Sequence, residues 1–252
     1  MNETATFVLV HGAWQGAWCW EHVIADLERH GHEVIAPDLP GHGADDTPLD
    51  TIRLDTYVAA LTDVVHSASR PVILVGHSMS GFVGLVAARI PRNVAALVYV
   101  SAVVPVDGKP LLHVADQIDP EYLAHIRWND HPRTARLTPD GARKYLFPRS
   151  SPDVIARAVP RLSDEPLAPY EVPVEWHHAD LVDVPVYYVA CNRDLIVRPE
   201  LQEQMHRAAR AIHVFQIDSD HAPFLCAPRE LVVCLQTVAA RQQRHDPRLA
   251  ID

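Results

Sequence analysis

Two serines stand two positions apart in the stretch LVGHSMSGFVG, residues 74–84. A serine hydroxyl is a weak nucleophile and needs a base to take its proton and an acid to orient that base. The nucleophile-elbow pattern Gly-x-Ser-x-Gly would read Gly76-His77-Ser78-Met79-Ser80, with a serine where the second glycine belongs. The pattern exists because a tight strand-to-helix turn brings two backbones close together. Positions two before and two after the nucleophile must therefore be small. With Ser78 as nucleophile those positions are Gly76 and Ser80, and Gly81 and Gly84 add room. With Ser80 they are Ser78 and Phe82, and a phenyl ring at the crowded position would clash. The reading assigns Ser78 as nucleophile and Ser80 as a tolerated small residue, whose change to alanine should keep most activity.

In such folds the chain order is Ser, then Asp or Glu, then His. Sixteen histidines make mere presence uninformative, so placement must decide. His206 reads as helical, His213 as part of a strand and His245 as tail. His221, in HVFQIDSDHAPF, falls in a loop after the last strand and is the expected base. For the acid, VYYVACNRDLIV places Asp194 just beyond the preceding strand. Asp183 lies before that strand, and Asp218 and Asp220 share the histidine's own loop. Asp107, after the fourth strand, stays open as a competitor. An oxyanion hole needs backbone N–H groups aimed at the charge developing on the carbonyl oxygen, each worth roughly 3 kcal/mol. Met79, directly after the nucleophile, is one expected donor. The loop LVHGAW supplies the other at Ala13: Gly12 would permit a sharp turn, and His11 would brace the loop.

These residues need a scaffold that brings them to one face. TFVLVHG, RPVILVGHS and NVAALVYVSAVVP are continuous apolar runs of the kind that parallel strands buried on both faces require. HEVIAPDLPGHG reads as a second strand entering a Pro/Gly loop. AWCWEHVIADLERHG, residues 54–68 and MSGFVGLVAARIP carry helical spacing between them. Residues 105–180 break the alternation: they are richer in Pro, Asp and His, with short amphipathic pieces such as PEYLAHI and PDVIARAV. Alternation resumes with VPVYYVACNRD, PELQEQMHRAA, AIHVFQIDSD and PRELVVCLQTVAARQQ. The expected fold class is α/β, a mostly parallel, doubly wound sheet with helices on both faces and an inserted helical cap. Residues 1–104 and 181–252 form the core domain in this reading. Residues 105–180 form a cap, or lid, over the face where such sheets bind ligands.

Composition sets limits on partners. A chain of 252 residues with 48% hydrophobic and 21% charged residues supports a sizeable core. A formal net charge of −10 and the absence of a basic run argue against nucleic acid and anionic membrane. ARQQRHDPR reads as a solvated helix end. MNETATFVLVHG does not read as a signal peptide, and no apolar run has membrane-spanning length. Four cysteines without CxxC spacing suggest free thiols in a reducing cytoplasm. HHAD at 177–180 has no third partner for a metal, so no metal or other cofactor is expected.

FVLVHGAWQGAWCW, VGHSMSG, CNRDLIV and DSDHAPFLCAPREL together resemble the α/β-hydrolase superfamily. The branch they resemble contains plant methylesterases acting on salicylate and jasmonate methyl esters, and plant hydroxynitrile lyases. KYLFP and RLSDEPLAP are loosely similar to that branch's cap, whereas DLPGHG looks more like general bacterial members. The lyases typically carry threonine after the first-strand histidine and lysine after the catalytic histidine. Gly12 and Ala222 occupy those positions here, and the resemblance therefore implies ester hydrolysis. Trp14, Tyr122, Trp128, Leu146 and Phe147 are candidate pocket walls, although each could equally pack as core. If they line a pocket, it suits a small, largely apolar ester or lactone. Two alternatives stay open: a lyase or carbon–carbon bond-cleaving enzyme on the same fold, and a ligand sensor with little turnover. Dimers are common in the branch, which makes a homodimer a further expectation.

Overall fold

The computed structural model describes residues 4–175, 177–181 and 183–245, with backbone alone at 178 and 243–245. Its centre is a six-stranded parallel sheet. The strands are β1 (Thr6–Val10), β2 (Glu33–Ile35), β3 (Val72–His77), β4 (Val94–Val100), β8 (Val186–Cys191) and β9 (His213–Ile217), in the order β2-β1-β3-β4-β8-β9. β1 and β3 are buried at every position, which explains their unbroken apolar sequences.

Helices cover both faces. α1 (Glu21–Arg29) follows a 3₁₀ turn over Ala17–Trp20 and stops before Gly31, whose φ of +86° suits glycine. α2 (Leu54–Ser67) buries Leu54, Tyr57, Val58, Leu61 and Val65, a single helical stripe. α3 (Val83–Arg89) follows a 3₁₀ turn over Ser78–Phe82. Longer segments Pro199–Ala208 and Pro228–His245 complete the layers. Fully burying each Leu or Val contributes about 1.5–3 kcal/mol, so these stripes hold the layers on the sheet.

The stretch 105–180 leaves after β4 and returns to β8, which are neighbours in the sheet. Its two legs are joined at the base: Pro110 bridges Pro173, Gly108 N–H donates to Val174 O at 2.9 Å, and Val174 N–H donates to Lys109 O at 3.1 Å. PDVIARAV is helical over Pro152–Ala158, but PEYLAHI is helical only over Pro120–Leu123. Its end turns into an antiparallel sheet of β5 (Ile126–Asp130), β6 (Arg133–Leu137) and β7 (Glu165–Pro166). Short helices therefore share this segment with a small sheet.

The carboxyl ends of the parallel strands point one way. The loop after β1, the turn after β3, and the loops after β8 and β9 consequently meet on one face.

Candidate active site

Ser78 begins the turn after β3 with φ +55°, a left-handed conformation that few non-glycine residues hold. The turn is crowded. A Cβ on Gly76 would come within 2.6 Å of Ser80 O and of Val83 Cγ2, and one on Gly81 within 1.7 Å of Val103 O. Ser80 is fully buried, and its Oγ donates to His11 O at 2.5 Å. It is more than a tolerated small residue, because its hydroxyl ties the turn after β3 to the loop after β1. Phe82, the residue that argued against the alternative register, stacks on Tyr57 with ring centres 5.6 Å apart.

His221 stands between Ser78 and Asp194. Its Nε2 is 2.8 Å from Ser78 Oγ, and its Nδ1 is 2.6 Å from Asp194 Oδ2. With the carboxylate accepting the Nδ1 proton, Nε2 is left to accept the proton of the serine. Asp194 is held in turn: Oδ1 accepts Ile196 N–H at 2.7 Å and Val197 N–H at 3.0 Å, and Ser101 Oγ donates to Oδ2. His77 holds the His221 backbone, donating from Nε2 to His221 O at 2.7 Å. Burial and the neighbouring His221 hold the His77 imidazole well below its ordinary pKa, so it stays neutral. Asp107, the competing acid in the sequence, is exposed and lies 3.7 Å from His177 Nδ1. Asp218 pairs with Arg149 and Arg193, and Asp220 accepts Arg149 N–H at 2.8 Å and Ala222 N–H at 2.9 Å.

Gly12 is needed for close approach rather than for an unusual φ. A Cβ there would lie 2.5 Å from His77 Nδ1 and 3.0 Å from Ser78 Cβ. The positive φ falls two residues later, on Trp14 at +63°. His11 Nδ1 lies 2.9 Å from Gly12 O and donates to it, while its Nε2 accepts Leu39 N–H at 3.1 Å. Burial and His42 drive the His11 pKa down to about 3, so one nitrogen donates and the other accepts. Gly12 C=O and Ala13 N–H share one peptide plane and point in opposite directions. Holding the carbonyl therefore aims the Ala13 N–H. Met79 N–H stands at the head of the next turn, where a helix has no internal acceptor for it.

Trp14 is held by the 105–180 segment. Its N–H donates to Glu165 Oε2 at 2.8 Å and its indole N–H to Ala135 O at 3.0 Å, and its carbonyl accepts Ser163 N–H at 2.8 Å. Glu165 also meets His42 Nε2 at 2.9 Å and accepts the Tyr170 hydroxyl at 2.7 Å. Sequence reasoning passed over Glu165, Ser101 and His77, since nothing local marks a lone Glu, Ser or His as a partner of a residue so distant in the chain.

Of the expected pocket residues, Trp14 and Tyr122 are brought together, buried and edge-to-face with ring centres 6.4 Å apart. Leu146 and Phe147 are buried just before Arg149, whose N–H reaches Asp220 beside His221. Trp128 does not join them. It is 58% exposed on β5, an edge strand on which only Ile126 is buried, so its indole faces solvent. Among the described residues, no group of three His, Cys, Asp or Glu side chains could hold a metal, and no helix is long and apolar enough to cross a membrane. The His178 and His245 side chains, and residues 246–248 of ARQQRHDPR, lie outside the described residues.

Residues 7–233 match the model of the alpha/beta hydrolase family. Methylesterase 7 of Arabidopsis thaliana is 32% identical over 261 positions, covering 94% of this chain and 97% of that one. Methyl jasmonate esterase 1 of Vitis vinifera is 29% identical, covering 92% and 95%. Among solved structures, polyneuridine aldehyde esterase superposes with a TM-score of 0.87 at 26% identity, covering 94% of this chain and all of that one. The chain belongs to the alpha/beta hydrolase family.

Proposed function

We propose that this alpha/beta hydrolase cleaves a small, largely apolar carboxylic ester or lactone by acyl transfer through Ser78. His221 takes the Ser78 proton as Oγ attacks the carbonyl carbon. The resulting oxyanion is met by the N–H groups of Ala13 and Met79. The carbon–oxygen bond of the leaving group then breaks, and the alkoxide departs as alcohol with the proton from His221. A water molecule, deprotonated by the same imidazole, releases the acid and regenerates Ser78. Asp194 orients the imidazole and stabilises its cationic form. Residues 105–180 serve as the cap over this face, with Trp14 and Tyr122 as its apolar wall.

The observation that carries the reading is the relay of 2.8 Å and 2.6 Å contacts ending on a serine held at positive φ. Hydrolysis rather than cyanohydrin cleavage is favoured because Ala222, fully buried, follows His221 where a lyase would present a cation. The relatives named as methylesterases support a small leaving alcohol. The four free cysteines fit a reducing compartment, and the cytoplasm is our reading.

The test is hydrolysis of a p-nitrophenyl ester series by the wild type and Ser78→Ala, with mass-spectrometric mapping of a fluorophosphonate adduct. The adduct should map to Ser78, and Ser78→Ala should lose at least about 10³-fold in kcat/KM while keeping its fold. Undiminished turnover in that variant would remove the acyl-enzyme from the mechanism.

A further inference from the structure

Among the described residues, every hydrogen-bond partner of Trp14 comes from the segment 105–180: Glu165 on its N–H, Ser163 on its carbonyl and Ala135 on its indole. Trp14 directly follows Ala13, and it holds φ +63°, a conformation that a bulky side chain keeps only when its surroundings enforce it. The geometry points to Glu165 as a positioning residue through which the cap sets the oxyanion donor, an inference that rests on the acyl-transfer reading above.

The peptide planes around Ala13 show how. Ser80 Oγ holds the carbonyl of the 11–12 peptide, and His11 Nδ1 holds that of the 12–13 peptide, the plane that carries the Ala13 N–H. Both restraints come from the core. The next plane, 13–14, is held by Glu165 Oε2 from the cap. The backbone torsions of Ala13 are thus clamped from the core on one side and from the cap on the other. Without the second clamp, Trp14 can relax from its left-handed conformation and the 12–13 plane can tilt with it.

The Glu165 carboxylate is built for this task. It is 3% exposed, and each oxygen is occupied. Oε1 takes the Tyr170 hydroxyl from within the cap, and Oε2 faces His42 Nε2 in the core loop after β2. The other His42 nitrogen lies 3.1 Å from Pro40 O, so both ring nitrogens face acceptors, as an imidazolium requires. Seating the cap buries this carboxylate against a cation and against the Trp14 N–H in one step. The oxyanion hole is complete only when the cap is seated.

The test uses the full chain with p-nitrophenyl butyrate as substrate and an aliphatic trifluoromethyl ketone as inhibitor. Ser78 Oγ adds to the ketone's carbonyl carbon, the serine proton passes to His221, and the carbonyl oxygen becomes an oxyanion at Ala13 and Met79. Glu165→Ala should lower kcat about tenfold or more with KM within about twofold, and should weaken the ketone by a similar factor. Glu165→Gln, which can still accept the Trp14 N–H, should restore most of both. Glu21→Ala, which removes an exposed contact to Arg161 at the same boundary, should change neither. Should Glu165→Ala fail to fold, Tyr170→Phe replaces it, with parallel losses of about threefold expected. Wild-type kcat in Glu165→Ala, or a lower kcat with unchanged ketone affinity, would overturn the inference; so would parallel losses missing from Tyr170→Phe. Those outcomes leave the acyl-transfer reading standing as long as Ser78→Ala is inactive, whereas an active Ser78→Ala removes both.

Discussion

The Asp194 carboxylate accepts from His221 Nδ1, Ser101 Oγ, and the N–H groups of Ile196 and Val197. An asparagine there would present an amide N–H₂ toward one of these donors and would disturb the imidazole tautomer that leaves Nε2 free to accept. Asp194→Asn should therefore cut kcat roughly 10³–10⁴-fold, while Asp107→Asn should stay within about twofold. Steady-state kinetics of the two variants checks this, and the reverse ranking would move the acid to the loop after β4. At this scale the sequence was legible where a steric or positional rule applied. Ser78 was singled out by the small residues around it, and His221 by falling just beyond the last strand. Asp194 is favoured over Asp107 by position alone, and in the fold it is Asp194 that lies 2.6 Å from His221 Nδ1. His77, Ser101 and Glu165 were not legible, because their partners stand 144, 93 and 151 positions away. No local pattern encodes such a pairing. Trp128 was misjudged because an aromatic on an amphipathic stretch reads as buried, whereas β5 lies at the edge of its sheet.

Between elements, the link from Ser80 Oγ to His11 O joins the turn after β3 to the loop after β1. Removing the hydroxyl leaves a buried carbonyl without that donor, which costs about 1–3 kcal/mol. Ser80→Ala should accordingly melt at a lower temperature and lose some kcat with little change in KM, a larger effect than a merely tolerated residue would show. Ser80→Phe should not fold, since position 80 is fully buried and its side chain packs against the His11 carbonyl. Thermal melts and kinetics of both variants decide the point, and a Ser80→Ala protein as stable as wild type would show that the link is dispensable. The core strands could be read because burial on both faces demands continuous apolar sequence. β5 could not: four of its five residues are exposed, so no two-faced alternation marks it. The 3₁₀ form of the turn over Ser78–Phe82 was also hidden, since helical spacing looks alike in both helix types over so few residues.

Across the whole molecule, buried histidines set opposing pH dependences. His11 and His77 are held neutral, with pKa values below the ordinary 6.5, by burial first and by neighbouring histidines second. The unfolded chain binds protons at these two sites that the folded chain refuses. Stability should therefore fall as pH drops below about 6.5, with about 1.4 kcal/mol lost per unit and per site. His42 behaves in the opposite sense. Burial lowers its pKa, but Glu165 and the Pro40 carbonyl raise it further, to a net value above 6.5. Its contribution is fully present below that pH and is lost as pH rises through the raised value. Denaturant titrations from pH 5 to 9 should show a loss on the acid side that shrinks in His11→Gln, and a smaller loss on the alkaline side that disappears in His42→Gln. An acid limb unchanged in His11→Gln would count against the burial argument.

The bridge between Pro110 and Pro173 gives the segment above the sheet a closed neck whose two ends spring from adjacent strands. Such a segment is a cassette. Under the acyl-transfer proposal, replacing it as a unit would change which acyl groups reach Ser78 and leave the strand register beneath untouched. A graft would succeed only if it carried its own acceptor for the Trp14 N–H. If Glu165 sets the oxyanion donor, substrate range and catalytic competence travel on the same piece of chain.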